Sequence, residues 1–120
     1  DMIDQNPKPQ VPSDATIKEV IIEISEKRLG TAAVVDGSNI VGVITDGDIR
    51  RMLEADVDIN TSTAKDIMSK NPKTIDESAL AVDALEMMEE NNITQLLATD
   101  EKGKYSGVVH LHDLIKEGIL

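Results

Sequence analysis

Gly42-Val43-Ile44-Thr45-Asp46-Gly47-Asp48-Ile49-Arg50-Arg51 is the stretch on which the fold turns. Small and apolar residues run into Thr-x-x-Asp, a hydroxyl followed three positions later by a carboxylate. That order predicts a buried strand feeding the first turn of a helix, where a Thr side chain can cap orphan backbone N–H groups.

The stretch has a counterpart further along. Displaced by 65 residues, Gly42-Val43-Ile44 falls on Gly107-Val108-Val109, and Asp48-Ile49 falls on Asp113-Leu114. Upstream the displacement is 64, and Thr31-Ala32-Ala33-Val34-Val35-Asp36 falls on Gln95-Leu96-Leu97-Ala98-Thr99-Asp100. Both segments predict short buried strands ending in an Asp turn. The change of displacement is one extra residue in the turn Asp100-Glu101-Lys102-Gly103-Lys104 relative to Asp36-Gly37-Ser38-Asn39. Further upstream, Ile17, Val20, Ile21 and Ile24 fall on Ala81, Ala84, Leu85 and Met88. Their i, i+3, i+4, i+7 spacing is the apolar stripe of a helix packed on one face. Asp14 falls on Ser78, and both are expected as N-caps of those helices. Short extended segments precede them at Val11 and at Thr74-Ile75. The chain therefore predicts an α+β fold of two pseudo-symmetric βαββα repeats, small sheets covered by helices, over residues 2–56 and 74–120. The connecting segment 57–73 should begin as loop at Asp58–Thr63 and then form a short helix over Ala64–Met68, capped by Thr63 and stopped by Asn71-Pro72. At this size neither half alone would bury much surface, so the two are expected to pack around a shared cleft.

Composition narrows the function classes. The chain has 120 residues, one Tyr and no Phe or Trp, so aliphatic side chains and Met must fill the core. Met52, Met68, Met87 and Met88 are expected there, with Glu86, Glu89 and Glu90 on a solvated helix face. A net charge of −11 argues against general nucleic-acid binding, which needs a positive surface. With no cysteine, disulfides and thiolate zinc sites are excluded. No apolar run nears the roughly 20 residues of a membrane span, which with the absence of a signal-peptide pattern leads us to expect a cytoplasmic chain without membrane association.

A tandem βαββα repeat with Gly-hydrophobic-hydrophobic-Thr-x-x-Asp entering its last helix resembles the CBS domain pair, or Bateman module. Asp66-Ile67-Met68-Ser69-Lys70-Asn71-Pro72 resembles the usual lead-in to a second repeat. More narrowly, Thr45-Asp46-Gly47-Asp48-Ile49-Arg50-Arg51, with His110-Leu111-His112-Asp113-Leu114, is similar to the C-terminal part of bacterial arabinose-5-phosphate isomerases of the SIS-CBS family. There a sugar isomerase (SIS) domain carries catalysis and a CBS pair follows it. The resemblance implies a regulatory piece of a longer chain, without its N-terminal catalytic domain, no enzyme by itself, and associating as a homodimer through its CBS pairs. It also implies a parent that makes arabinose 5-phosphate for Kdo, a sugar of lipopolysaccharide.

The candidate ligand-binding residues are Thr45, Asp48, Arg50, Arg51, Thr31, His110, His112 and Asp113. First-turn N–H groups of a helix favour an anion, and Thr45 can donate to a phosphate or ribose oxygen. An ionised Asp48 only accepts, which suits ribose hydroxyls. In CBS pairs these two positions contact the sugar-phosphate part of a nucleotide, and the resemblance implies that role here. The structural alternative is a cap: Thr45 closing the helix and Asp48 complementing its dipole. Adjacent Arg50 and Arg51 point about 100° apart on a helix, so at most one faces the cleft; an Arg fork holds phosphate or carboxylate, while a solvated helix face is the alternative. In the second repeat His110 replaces Thr45, so the two sites should not be equivalent. His110-x-His112 on a strand, with Asp113 near, leaves a weak metal alternative; no metal is expected. Lead-ins Val11-Pro12 and Thr74-Ile75 would flank a base, as the resemblance implies. No cofactor is required. The expected partner is a small anionic ligand, a nucleotide or CMP-sugar with CMP-Kdo favoured as a feedback signal. The alternatives are a purely structural dimerisation module, an adenine-nucleotide sensor for another parent, and a small metal-dependent enzyme using His110, His112 and Asp113.

Overall fold

The computed structural model describes residues 8–27 and 29–116. In chain order the elements are β1 (Gln10–Pro12), α1 (Ile17–Lys27), β2 (Thr31–Asp36), β3 (Asn39–Thr45), α2 (Asp46–Glu54), α3 (Ala64–Ile67), β4 (Thr74–Asp76), α4 (Ala81–Asn91), β5 (Gln95–Thr99), β6 (Tyr105–His110) and α5 (Leu111–Lys116). The fold is α+β, with βαββα twice over, as the repeat predicts. The described residues form two compact units, one drawn from residues 9–72 and one from residue 8 with 73–116.

In the first unit β1 lies parallel to β2, and β2 antiparallel to β3, with Thr31 opposite Thr45 and Asp36 opposite Asn39. Ile17, Val20 and Ile24 of α1 are buried, and Val20 and Ile24 share a core with Val11, Ala32, Val34 and Ile44. Ile21, expected on the same stripe, is 38% exposed, so the buried face is narrower than the spacing suggests. Thr16, not Asp14, caps α1: Glu19 N–H donates to the Thr16 hydroxyl at 3.1 Å while Thr16 N–H donates to the Glu19 carboxylate at 2.9 Å. Asp14 falls short because the chain first turns, Ala15 N–H donating to the Pro12 carbonyl. The same correction applies to Ser78, which bonds Asp76 in the preceding turn, its N–H donating at 2.8 Å and its hydroxyl at 2.6 Å. The N-cap position of α4 is Leu80, which has no side-chain acceptor.

The connecting segment is stitched to the first unit. Ala64 and Lys65 N–H donate to the Ala15 and Ser13 carbonyls at 2.9 and 3.0 Å, and Ala64 is fully buried. Thr63 begins α3 as predicted, donating its N–H to the Asp66 carboxylate at 2.8 Å. Beyond α3, Ser69 and Val43 exchange backbone bonds of 2.8 and 3.0 Å. Gly42 makes this approach feasible: a Cβ there would run into the Met68 side chain and stand 3.0 Å from the Ser69 carbonyl oxygen.

The second unit repeats the topology. β4 is parallel to β5 and β5 antiparallel to β6, with Gln95 opposite His110. Ile75, Ala84, Met88, Leu96, Ala98, Val109 and Leu114 form its core. Met52 and Met88 are buried and Met68 and Met87 pack at core margins, while Glu86, Glu89 and Glu90 are exposed. Both hairpins carry a bulge at the same place: Val34 pairs Gly42 while Val35 pairs Ile40, and Ala98 pairs Gly107 while Thr99 pairs Tyr105. The residues left over are Val41 and Ser106. Among the described residues no helix is long and apolar enough to cross a membrane.

Candidate functional site

The end of β3 delivers Thr45 to the head of α2 in extended conformation, with φ −115° and ψ 169°. From there its hydroxyl accepts the Asp48 N–H at 3.2 Å, while its own N–H donates to Asp48 Oδ2 at 2.9 Å. This reciprocal box satisfies two donors that a helix start leaves unpaired. The Thr45 hydroxyl also lies 3.2 Å from Oδ2. The other carboxylate oxygen, Oδ1, accepts from the Arg51 guanidinium and from the Ser69 hydroxyl at 3.1 Å. Asp48 is 6% exposed, and a carboxylate can sit so deep because donors surround it.

Of the two arginines, Arg51 turns to Asp48 from one turn on, and Arg50 is exposed. Thr31 sits opposite Thr45, buried, with its hydroxyl donating to the Ile44 carbonyl at 3.2 Å. Thr45, Asp48 and Arg51 are thus brought together, with Thr31 behind them in the sheet. Ser69 is the member that sequence reasoning missed. It stands 21 residues from Asp48, and no local spacing links them; only the bridge between Val43 and Ser69 does.

The second entry keeps the frame and changes the chemistry. His110 closes β6 as Thr45 closes β3, and its N–H donates to Asp113 Oδ2 at 2.9 Å. In place of a hydroxyl it offers Nδ1, which accepts the His112 N–H at 3.1 Å. Accepting there fixes the neutral tautomer, with the proton on Nε2. His112 is not on the strand, as expected from its spacing, but in the first turn of α5, because Leu111 already begins the helix. The two rings nevertheless stack, 5.2 Å between centroids and 10° apart. Burial pushes the His110 pKa down, the neighbouring His112 pushes the same way, and Asp113 opposes both. Among the described residues no group of three or more His, Cys, Asp or Glu is placed to hold a metal ion. His112 and Asp113 thus gather with His110 at one helix start.

A hollow of about 490 Å³ opens elsewhere in this unit, lined by Asp76, Glu77, Ser78, Asp100, Glu101 and Lys102. It lies at the hairpin end of the sheet, opposite His110, and four carboxylates make it hostile to an anion.

A tandem βαββα module with a Thr–Asp capped helix entry defines a class, and comparison with known proteins gives it a family. The CBS domain profile matches residues 3–55 and again 64–119. The chain belongs to the CBS domain family. It is 38% identical over 113 residues to arabinose 5-phosphate isomerase KdsD of Yersinia pestis, covering 93% of this chain and 34% of that protein. With KdsD of Francisella tularensis it shares 40% identity over 111 residues, covering 92% of this chain and again 34% of the relative. The chain thus spans about a third of the length of these relatives. Among solved structures, the CBS domain protein PAE2072 from Pyrobaculum aerophilum complexed with AMP superposes with a TM-score of 0.84 at 25% identity, covering 97% of this chain and 95% of that one. The CBS domain pair of protein MJ0100, in complex with 5'-methylthioadenosine and S-adenosyl-L-methionine, shares the fold at a TM-score of 0.83 and 23% identity, covering 97% and 91%.

Proposed function

We propose that this chain is a ligand-sensing regulatory module of an arabinose-5-phosphate isomerase, binding a nucleotide or nucleotide-sugar anion at the entry of α2 and performing no catalysis itself. The observation that carries the reading is the cluster of Thr45, Asp48 and Arg51: a hydroxyl, a buried carboxylate and a cation at one helix start, in a chain of net charge −11. Asp48 suits ribose hydroxyls, and Arg51 suits phosphate or carboxylate. Thr31, Arg50, His110, His112 and Asp113 are further candidate contacts. The similarity to the KdsD proteins supports an isomerase parent with a separate catalytic domain, and the AMP complex of PAE2072 supports a nucleotide-like ligand. CMP-Kdo is favoured, since feedback needs a ligand unlike the substrate and a CMP-sugar offers ribose, phosphate and carboxylate together. Binding would act by favouring one arrangement of the module over another. No bound cofactor is needed for this, and the setting is the cytoplasm.

Calorimetric titration of CMP-Kdo, CMP, AMP and ATP into the wild type and Asp48→Ala tests it. We expect heat with at least one anion and its loss in the variant. No heat from any of the four sinks the reading.

A second reading, a homodimerisation module indifferent to ligands, draws on exposed apolar side chains: Leu53 is 58%, Val82 53% and Ile115 47% exposed. Light scattering with and without CMP-Kdo separates the two, because only a sensing module changes its assembly or shape with ligand.

A further inference from the structure

The Asp48 carboxylate has no acceptor to spare. A carboxylate offers about four lone-pair sites, and four donors already reach it: the Thr45 N–H, the Thr45 hydroxyl, the Arg51 guanidinium and the Ser69 hydroxyl. A ligand hydroxyl that reaches Asp48 must therefore replace one of them. The Thr45 N–H is a backbone donor fixed by the cap, and its release would strand it without a partner. The Thr45 hydroxyl is held in place because it also accepts the Asp48 N–H. Ser69 is anchored through two backbone bonds to Val43, and its neutral hydroxyl gains nothing by leaving. Arg51 differs on both counts. Its side chain is 70% exposed, so it can swing into water, and as a cation it gains a new partner if the ligand brings an anion.

We infer that Arg51 is an exchangeable latch: a ligand carrying both a ribose hydroxyl and an anionic group takes the place of Arg51 on Asp48 with that hydroxyl and receives Arg51 on its anion. The inference rests on the α2 entry being the ligand site and sharpens it, because hydroxyl and anion become useful only on one molecule. A neutral nucleoside must strip Arg51 from Asp48 and leave it unpaired. A bare phosphate can hold Arg51 but does nothing for the carboxylate it abandons.

The test is calorimetry on the 120-residue chain with AMP, adenosine, CMP and cytidine as probes, using wild type, Arg51→Ala and Ser69→Ala. For the wild type we expect each monophosphate to bind at least about tenfold more tightly than its nucleoside, the worth of one charge-assisted hydrogen bond. Arg51→Ala should weaken the monophosphate about tenfold and tighten the nucleoside about threefold or more, so that the preference collapses or inverts. Ser69→Ala frees a lone pair that a ligand hydroxyl can take without displacing the cation, so the nucleoside should tighten more than the monophosphate and their ratio should narrow, with no weakening of the monophosphate. A ratio unmoved in Arg51→Ala, or both probes weakened in equal proportion, overturns the latch while leaving the site intact. If neither monophosphate binds the wild type, the latch falls; the site falls with it only if CMP-Kdo and ATP also give no heat. Thermal melting checks that Arg51→Ala is folded; should it not be, Arg51→Gln decides on the same ratio.

Discussion

The entries to α2 and α5 are one piece of backbone carrying two chemistries. Each has an Asp three residues after the strand end whose carboxylate accepts the backbone N–H of that strand end, at 2.9 Å in both. At α2 the capping atom is a hydroxyl, which gives and takes, and the carboxylate also gathers Arg51 and Ser69. At α5 the capping atom is an imidazole nitrogen that only accepts, and it serves His112 rather than Asp113. The Asp at N3 is thus the structural constant, and the residue before the helix sets whether the cap both donates and accepts or only accepts. Two repeats keep one fold and differ in the hydrogen-bonding groups at their helix entries.

The comparison can be broken most forcefully at the two carboxylates. Asp48→Ala removes the cap partner and strands buried donors, so we expect a loss of about 2–3 kcal/mol in urea denaturation. Asp113→Ala, where the carboxylate is half-buried rather than buried, should cost about 1 kcal/mol. Equal losses would show that the depth of Asp48 adds nothing to its cap.

The paired glycines come next. Gly42 is needed because Met68 and the Ser69 carbonyl crowd it, and Gly107 because its φ is 150°, a conformation L side chains rarely adopt. Ala at either should cost about 1–3 kcal/mol through overpacking or backbone strain. Adding Met68→Ala should recover part of the loss for Gly42→Ala, because the cavity it opens admits the new methyl. No neighbouring truncation should rescue Gly107→Ala. Chemical denaturation of the double variant reads the difference.

A smaller effect is expected at the long helices. Thr16→Ala should lose about 1 kcal/mol, and Leu80→Thr, which places a hydroxyl three residues before Asp83, should gain about 0.5–1 kcal/mol. Leu80 is 68% exposed, so little packing is lost in the exchange. Thermal melting of the two variants is enough to compare them.

The smallest effect is a slope with pH. His110 in the fold is held below its ordinary value of 6.5, first by burial and then by His112. The unfolded chain therefore takes up the proton first. The stability this neutral ring contributes is complete above about pH 6.5 and is lost as pH falls through the lowered folded value. Melting temperature measured between about pH 7.5 and 5.5 should fall more in the wild type than in His110→Thr. Parallel curves would show that the cap does not feel the proton.

Much of this was legible in the chain itself. The aliphatic stripes, the paired glycines, the Asp turns and Thr-x-x-Asp all report local geometry, and local geometry is what spacing encodes. The caps of α1 and α4 do not follow from residue type, because Asp14 and Ser78 are good capping residues that the chain uses two residues early, in a turn. Thr16 with Glu19 is a capping box the sequence does contain, hidden behind a more obvious candidate. His112 was misplaced because the end of β6 and the start of α5 share no loop, so strand alternation stops one residue sooner than it looks. Ser69 and the depth of Asp48 lay out of reach: both depend on where the segment after α3 docks, a tertiary fact without a local signature.

The matched bulges at Val41 and Ser106 have a practical side. Each stands between a hairpin tip and its helix entry, and the tips differ by one residue while everything past the bulge keeps its register. Length changes at the tip are absorbed before they can rotate the capping residue. The tips at Gly37-Ser38 and Lys102-Gly103 are therefore the places to graft a fluorophore or an epitope, giving a label mechanically insulated from the helix entries.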